Sequence, residues 1–192
     1  MKTDIILSGV GGQGILSIAT IIGEAATHSG INLKQAEVHG MSQRGGDVQS
    51  NLRLSDTDIY SDLIPKGKAD IIISMEPMEA MRYLPYLKQD GWIITSSHSF
   101  VNIPNYPDEQ KLMDELHANQ HVLDWDIDTI AKDNQIAKSA NVILLGMAAP
   151  YLEILSVDEL RQAVKRVFAR KGEQIVEANI KAFELGLSIH TK

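Results

Sequence analysis

The stretch Asp4-Ile5-Ile6-Leu7-Ser8-Gly9-Val10-Gly11-Gly12-Gln13-Gly14-Ile15 decides the fold. A short Ile/Leu run ends in a glycine cluster that fits G-x-G-x-x-G. From Gly14 to about Ser29, Ile15, Ile18, Ala19, Ile22 and Ala26 then recur at helical spacing, and Gly30 stops the helix. Strand, glycine turn and helix in this order open a dinucleotide-type α/β unit. Glycines there permit a tight turn and close approach of a ligand to the backbone. The helix start adds N–H groups and partial positive charge suited to a phosphate. The same glycines also serve a turn that merely packs helix on strand, so the motif alone leaves both readings open.

Outward from this unit, short apolar runs alternate with longer helical patterns. That predicts a Rossmann-like α/β fold with a mainly parallel sheet, helices on both faces and a helical C-terminal end, in one domain over residues 1–192. Strands are expected over about 33–38, 48–55 (half-exposed), 70–75 and 91–96, with an edge strand at 121–125. Helices are expected at 76–88 and 108–119, and as a broken stretch over 128–152, bent before Asn141 and disturbed by Pro150. Ser156-Val-Asp-Glu159 reads as a capping box that starts a helix to about Lys171; Gly172 separates it from a last helix over 173–187.

With 192 residues and 44% hydrophobic content, the chain can build a full apolar core. Lys plus Arg number 18 against 25 Asp plus Glu, a formal charge of −7. Such a balance argues against a general nucleic-acid binder, whose affinity rests on cations neutralising phosphates. The lack of cysteine excludes disulfides, thiol catalysis, Cys-ligated zinc and Cys-ligated iron–sulfur clusters in this chain. No run approaches the roughly 18 apolar residues of a membrane span. The run at 5–7 is too short for a signal peptide, so a cytoplasmic protein is expected.

A second constellation follows the second strand. Glu37 stands about where a dinucleotide site would place an acid for the ribose hydroxyls, but His39-Gly40-Met41-Ser42-Gln43-Arg44-Gly45-Gly46 then departs from a dehydrogenase pattern. This loop offers an imidazole, a hydroxyl, an amide and a cation within a few residues; the plain alternative is a surface turn with Arg44 in a salt bridge. In a doubly wound sheet the loops after the first two strands emerge at the same carboxyl edge, where ligands bind. Arg44, with Arg53 as a further contributor, would then face the glycine turn and make a local positive pole for an anionic ligand.

Taken together, Gly9-Val-Gly-Gly-Gln-Gly14 and His39-Gly-Met-Ser-Gln-Arg-Gly-Gly46, with Val48, Ser50 and Arg53, make the chain resemble the gamma subunit or domain of the 2-oxoacid:ferredoxin oxidoreductases. The resemblance continues through Ala69-Asp70, Met75-Glu76-Pro77-Met78-Glu79-Ala80 and the helix-rich end, and so covers nearly the whole chain. As a stand-alone chain of this size, it looks most like the beta subunit of the indolepyruvate type. The resemblance implies one part of an enzyme that decarboxylates a 2-oxoacid on thiamine diphosphate, passes electrons through iron–sulfur clusters to ferredoxin and forms an acyl-CoA. It implies that thiamine diphosphate, magnesium and the clusters sit in a large alpha subunit, that CoA is co-substrate, and that this chain shapes the substrate/CoA crevice and is inactive alone. The sequence agrees with that division: it has no cysteine, and no Gly-Asp-Gly segment followed by the asparagine of a thiamine diphosphate–magnesium site.

By resemblance, a ligand-, CoA- or phosphate-binding role falls on Gly9, Gly11, Gly12, Gln13, Gly14, Ser42, Gln43, Arg44 and Gly45, with no catalytic and no metal-binding residue. Competing readings are a gamma subunit of a pyruvate, 2-oxoglutarate or 2-oxoisovalerate enzyme, a stand-alone nicotinamide dehydrogenase using Glu37, and a pure scaffold. His28, His98, His117, His121 and His190 lack paired ligand spacing and read as surface or satisfied core residues. Glu76 and Glu79 read as acids at a helix start, Met75, Met78 and Met81 as core or interface filling, and Arg161, Lys165, Arg166, Arg170 and Lys171 as a solvated basic face.

Overall fold

The computed structural model describes residues 1–39 and 45–190. Its central strand β1 (Lys2–Val10) is buried from Thr3 onward, as its Ile/Leu run requires, and feeds through the glycine turn into α1 (Ile15–His28). Four more strands follow β2 (Asn32–His39): the first two come with no helix between them among the described residues, and helices then separate the last three. They are β3 (Asp47–Ser55), β4 (Ala69–Ser74), β5 (Leu87–Ser96) and β6 (Val122–Trp125), and they form one sheet of order β2-β3-β1-β4-β5-β6. The pairs β1–β4, β4–β5 and β5–β6 are parallel, while β3 runs antiparallel to both β1 and β2. The sheet is therefore mostly parallel, with β6 at the expected edge.

The neighbour of β1 differs from a doubly wound order. Only residues 40–46 separate β2 from β3, and a parallel crossover needs a dozen residues or more. The chain must therefore fold back as a hairpin, and β3 slots in between β2 and β1, with Val10 opposite Asp47 and His39 opposite Val48. Two reversals leave β1 and β2 pointing the same way, so their carboxyl ends share an edge. This internal position also buries Ser50, Asn51, Leu52, Leu54 and Ser55 of β3, more than the half-exposed strand expected.

Alternation along the strands divides the core. Ile5, Leu7, Leu52, Leu54, Ile71 and Ile73 face α1 together with α4 (Ile127–Asp133), α5 (Ala140–Ala148), α6 (Val157–Phe168) and α7 (Glu173–His190). Ile6, Ile72 and Ile93 face the other layer, α2 (Pro77–Arg82) and α3 (Glu109–His117), through Ala80 and Leu116. The expected helix over 76–88 is cut short. α2 ends at Arg82, Pro85 sits in a 3-10 turn over Leu84–Tyr86, and β5 begins at Leu87 rather than at 91. The β4–β5 register shifts between Ala69↔Leu87 and Ile71↔Trp92. Gly91 lies in that irregularity, where a Cβ would stand 3.0 Å from Asp70 O. The helical stretch after 128 is broken as expected, by turns at Ala137–Ser139 and at Ala149–Tyr151, which contains Pro150. The Ser156/Glu159 capping box forms, with Ser156 N donating to Glu159 Oε2 at 2.7 Å. Among the described residues no helix is long and apolar enough to cross a membrane.

The C-terminal layer depends on a close approach that the sequence reading did not weigh. α5 and α7 cross at Gly146 and Gly186, backbone against backbone. A Cβ on Gly146 would lie 2.2 Å from Phe183 O, and one on Gly186 would lie 2.1 Å from Ile143 O. Replacing either glycine with alanine must push the helices apart, and overpacking of this kind costs about 1–3 kcal/mol or more. Gly146→Ala and Gly186→Ala are each expected to lower the thermal midpoint by roughly 4–10 °C, from about 2–4 °C per kcal/mol at this size. Thermal unfolding followed by circular dichroism checks this, and an unchanged midpoint for both contradicts the packing described.

Candidate functional site

At the carboxyl end of β1 the backbone turns through Gly11, Gly12, Gln13 and Gly14. Gly12 (φ 105°) and Gly14 (φ 79°) adopt left-handed conformations that side-chain-bearing residues rarely take. Gln13 clamps the turn: its Oε1 accepts from Val10 N at 2.7 Å, and its Nε2 donates to Met75 O, just past β4, at 3.4 Å. A Cβ on Gly9 would meet both clamped groups, Gln13 Oε1 at 3.0 Å and Met75 Cβ at 3.2 Å. Gly14 O accepts from Asn141 Nδ2 on α5 at 2.9 Å, so the start of α1 is fixed from a second side.

The hairpin reaches the same turn. Gly11 N donates to Gly46 O at 2.8 Å, and Gly45 O accepts from Asn102 Nδ2 at 2.8 Å. The structure thus brings Gly9, Gly11, Gly12, Gln13, Gly14 and Gly45 to one edge, while Ser42, Gln43 and Arg44 lie outside the described residues. Arg53 does not join them. It pairs across β3–β1 with Asp4, at the opposite end of β1, through Nε–Oδ1 at 2.8 Å and Nη2–Oδ2 at 3.2 Å, and Asp4 is fully buried. Its other nitrogen donates to Ser61 O and Leu63 O at 3.0 Å each, so Arg53 holds a loop and contributes nothing to a pole near Gly14. Glu37 is also displaced from a ribose-binding place. It lies on the outer strand β2, with β3 between it and β1, about two strand spacings or 9–10 Å away.

A buried acid fastens the third loop of this edge. Glu76 caps α2 by accepting from Glu79 N through Oε2 at 2.8 Å, as an acid at a helix start should. Its Oε1 accepts from Tyr106 Oη and, at 3.4 Å, from Phe100 N, so residues 97–107 are tied down beside the glycine turn. Burial pushes the Glu76 carboxyl up, against the hydrogen bonds from Tyr106, Glu79 and Phe100 that favour its ionised form. Burial also raises the Tyr106 phenol, so it stays a donor at neutral pH. Asn102, which reaches Gly45, belongs to the same segment; its buried Oδ1 has no partner among the described residues.

Two clefts flank the glycine turn. The larger, about 720 Å3, runs between the turn and α7, with Lys138 and Lys171 on its walls and no carboxylate among its lining residues. The smaller, about 530 Å3, opens between Gln13, Met75 and Phe100, at the point where the connections leave β1 and β4 in opposite directions; His98, Asp128 and Lys132 line it. Lys138 and Asn141 border both. Sequence reasoning missed these two residues. Their only signal was the Ala-Lys-Ser-Ala-Asn interruption of a helical pattern, and nothing in it places residue 138 near residue 12.

The remaining residues behave largely as read. His28 is exposed in the last turn of α1, and His117 Nε2 meets Asp124 Oδ1 at 2.8 Å. His121 stacks on Trp92 with ring centroids 5.0 Å apart, although its buried Nδ1 has no partner among the described residues. The side chain of His190 lies outside the described residues. Among the described residues no group of three or more His, Cys, Asp or Glu is placed to hold a metal ion. Met75 is buried, and Glu79 pairs bidentately with Arg82 at 2.9 and 3.1 Å. The basic face of α6 is partly neutralised within the chain, Arg161 by Asp158 and Glu184 and Arg166 by Glu24.

Because burial raises the Glu76 pKa above 4.5 in the fold, this group favours the folded state most below pH 4.5. That contribution is lost as pH rises through the folded value. Glu76→Gln removes the titration while keeping most of the shape. Urea unfolding from about pH 4 to 8 is expected to show the stability of the wild type, relative to Glu76→Gln, declining as pH rises. A relative stability that grows with pH contradicts a carboxylate desolvated in this way.

The chain and its fold have counterparts. The model of the pyruvate ferredoxin/flavodoxin oxidoreductase family matches residues 4–189. The chain is 36% identical over 193 residues to indolepyruvate oxidoreductase subunit IorB of Pyrococcus horikoshii, covering 96% of this chain and 94% of that one. The structure of the keto/oxoacid ferredoxin oxidoreductase gamma subunit from Geobacter sulfurreducens PCA superposes with a TM-score of 0.70 at 26% identity over 97% of both chains. A 2-oxoglutarate:ferredoxin oxidoreductase from Magnetococcus marinus shares the fold at TM-score 0.78 and 18% identity, over 99% of this chain and 31% of the longer one. With a family match over nearly its whole length, a glycine turn stitched to a glycine hairpin at the carboxyl edge, and relatives that are subunits of oxoacid oxidoreductases, this chain belongs to the pyruvate ferredoxin/flavodoxin oxidoreductase family.

Proposed function

We propose that this chain is the small, cofactor-free subunit of an oxidoreductase that converts indolepyruvate, or a related aryl pyruvate, to its acyl-CoA and passes the electrons to ferredoxin. The observation that supports the reading is the Gly11–Gly46 hydrogen bond, which brings the glycine turn and the end of the second glycine motif to one edge and leaves the Gly12 and Gly14 N–H groups for an anion. The similarity to an indolepyruvate oxidoreductase subunit over almost the whole of both chains supports the choice of 2-oxoacid.

The residues present do not fit the redox cofactors. The chain has no cysteine for clusters, and its described residues offer no cluster of metal ligands. Thiamine diphosphate, magnesium and the iron–sulfur clusters are assigned to a large alpha subunit, and no electron or decarboxylation step is routed through this chain. Its own part is to close the crevice. Backbone N–H groups of the glycine turn receive a phosphate or carboxylate of CoA or of the oxoacid, and Arg44 of the hairpin pairs with the same anion. The chain acts as one domain over residues 1–192, in the cytoplasm. The dehydrogenase reading loses support from the place of Glu37, a strand away from the turn.

Co-expression with the large subunit tests this. The isolated chain is expected to show no turnover and no iron–sulfur absorbance, while the complex reduces ferredoxin with indolepyruvate and CoA. Arg44→Ala is expected to lower kcat/KM for CoA at least tenfold, since a charge-assisted pair contributes about 1.5–3 kcal/mol, without preventing assembly. Unchanged activity in the assembled variant favours a scaffold, and turnover by the chain alone without thiamine diphosphate overturns the proposal.

A further inference from the structure

The amino end of the sheet presents a surface that the proposed function leaves unused. The chain from Asp56 to Lys68 crosses there from β3 to β4 without a helix or strand, yet its backbone is held at several points. Arg53, itself paired with the buried Asp4, donates Nη1 to Ser61 O and Leu63 O at 3.0 Å each. Ile64 N donates to Asn51 Oδ1 at 3.3 Å, and its side chain is buried in the core that faces α2 and α3. Gly67 N donates to Pro85 O at 3.0 Å. A loop fastened in this way nevertheless turns two large side chains outward: Tyr60 is 91% exposed and Leu63 58%. Met1, also exposed, lines the same cleft of about 540 Å3 as Ile59 and Tyr60. A fixed backbone that holds an aromatic ring in solvent has already lost the freedom that a binding loop must lose, and tyrosine is among the residues that dominate binding energy at interfaces.

The charges along the loop specify the occupant. Asp56 is taken by the amino group of Met1, and Asp62 by Lys34 at 3.0 Å. Asp58, Lys66 and Lys68 are exposed and have no ion-pair partner among the described residues. They are arranged about Leu63: Asp58 stands five positions before it and Lys68 five after, Tyr60 three before and Lys66 three after. We infer that this loop is an isologous contact surface for a second copy of the chain, with Leu63 at a two-fold axis, Asp58 of each copy facing Lys68 of the other, and Tyr60 facing Lys66. In such an interface an acid and a base at equal distances from the axis satisfy each other twice. The two Leu63 side chains cover each other at the centre, and the Lys66 ammonium over the Tyr60 ring adds a cation–π attraction. Each copy carries a formal charge of −7, so contact between copies needs a patch where acid and base are balanced, and this loop supplies one. The surface lies at the opposite end of β1 from the glycine turn, so pairing leaves that edge free for the large subunit.

Sedimentation equilibrium of the full chain tests the inference. An interface of one loop from each copy belongs to the small, transient class, so self-association is read across a wide concentration series. The wild type is expected to pass from monomer to dimer, less readily with added salt because the paired charges are exposed. Asp58→Lys and Lys68→Asp each set like charges opposite one another twice and are expected to weaken the dimer about tenfold or more. Tyr60→Ala is expected to weaken it as well, and Lys165→Ala, an exposed lysine on α6, to leave it unchanged. An equimolar mixture of the Asp58→Lys and Lys68→Asp chains is expected to pair again, since each then meets opposite charge at both positions; that recovery also shows that both variants fold. A wild type that stays monomeric at every concentration, a dimer indifferent to both charge reversals, or no recovery on mixing each overturns the inference. Those outcomes leave the turnover of the assembled complex and its Arg44 dependence untouched, so they do not bear on the proposed function.

Discussion

A backbone hydrogen bond, from Gly11 N to Gly46 O at 2.8 Å, joins the glycine turn to the β2–β3 hairpin at the candidate edge. It exists because β3 is inserted antiparallel between β2 and β1, which carries the hairpin to within reach of the glycine turn. Around it the contacts are local and mutually reinforcing. Gln13 ties the turn to the end of β4, Asn141 ties it to α5, and Asn102 ties the hairpin to the 97–107 segment. Glu76 in turn fastens that segment to the start of α2. Four loops at one end of the sheet are therefore positioned by the rigid parallel strands beneath them, the usual relation between scaffold and site.

Electrostatics separates the two ends of β1. At the amino end the buried Asp4 is met by Arg53 and Lys2, a closed arrangement that fixes the 61–63 loop. At the carboxyl end, the larger cleft carries Lys138 and Lys171 with no carboxylate among its own lining residues, and the start of α1 adds its own partial positive charge. A strongly acidic chain thus keeps a small cationic mouth where an anion would enter.

Much of this was legible in the sequence. Apolar spacing gave β1 and α1, the capping box gave the start of α6, and Pro150 and the 137–139 region marked real breaks. The glycine turn and the described end of the second motif, Gly45 and Gly46, do share one edge, though by a different route: the doubly wound order was expected, and an antiparallel β2–β3 pairing brings them together. What stayed hidden were pairings between distant residues. Arg53 carries the same charge at either end of a strand, and only the β1–β3 register shows that it faces Asp4. Lys138 and Asn141 had no periodicity to single them out, because their importance comes from α5 packing against the start of α1. The Gly146–Gly186 crossing was equally silent, since a glycine within an apolar helix signals close approach only once its neighbour is known. The helix expected over 76–88 failed for a local reason, Pro85, a proline inside the expected helix that the sequence reading did not consider.

The central claim is that this one edge, and not the Asp4–Arg53 end, is where the chain meets its larger companion and its ligand. Amide hydrogen exchange of the chain alone and in complex with the large subunit tests it most directly. The account predicts that protection on assembly is gained over residues 9–14, 45–47 and 97–106. Gains confined to residues 1–4 and 53–63, with the glycine turn exchanging as in the free chain, would contradict it.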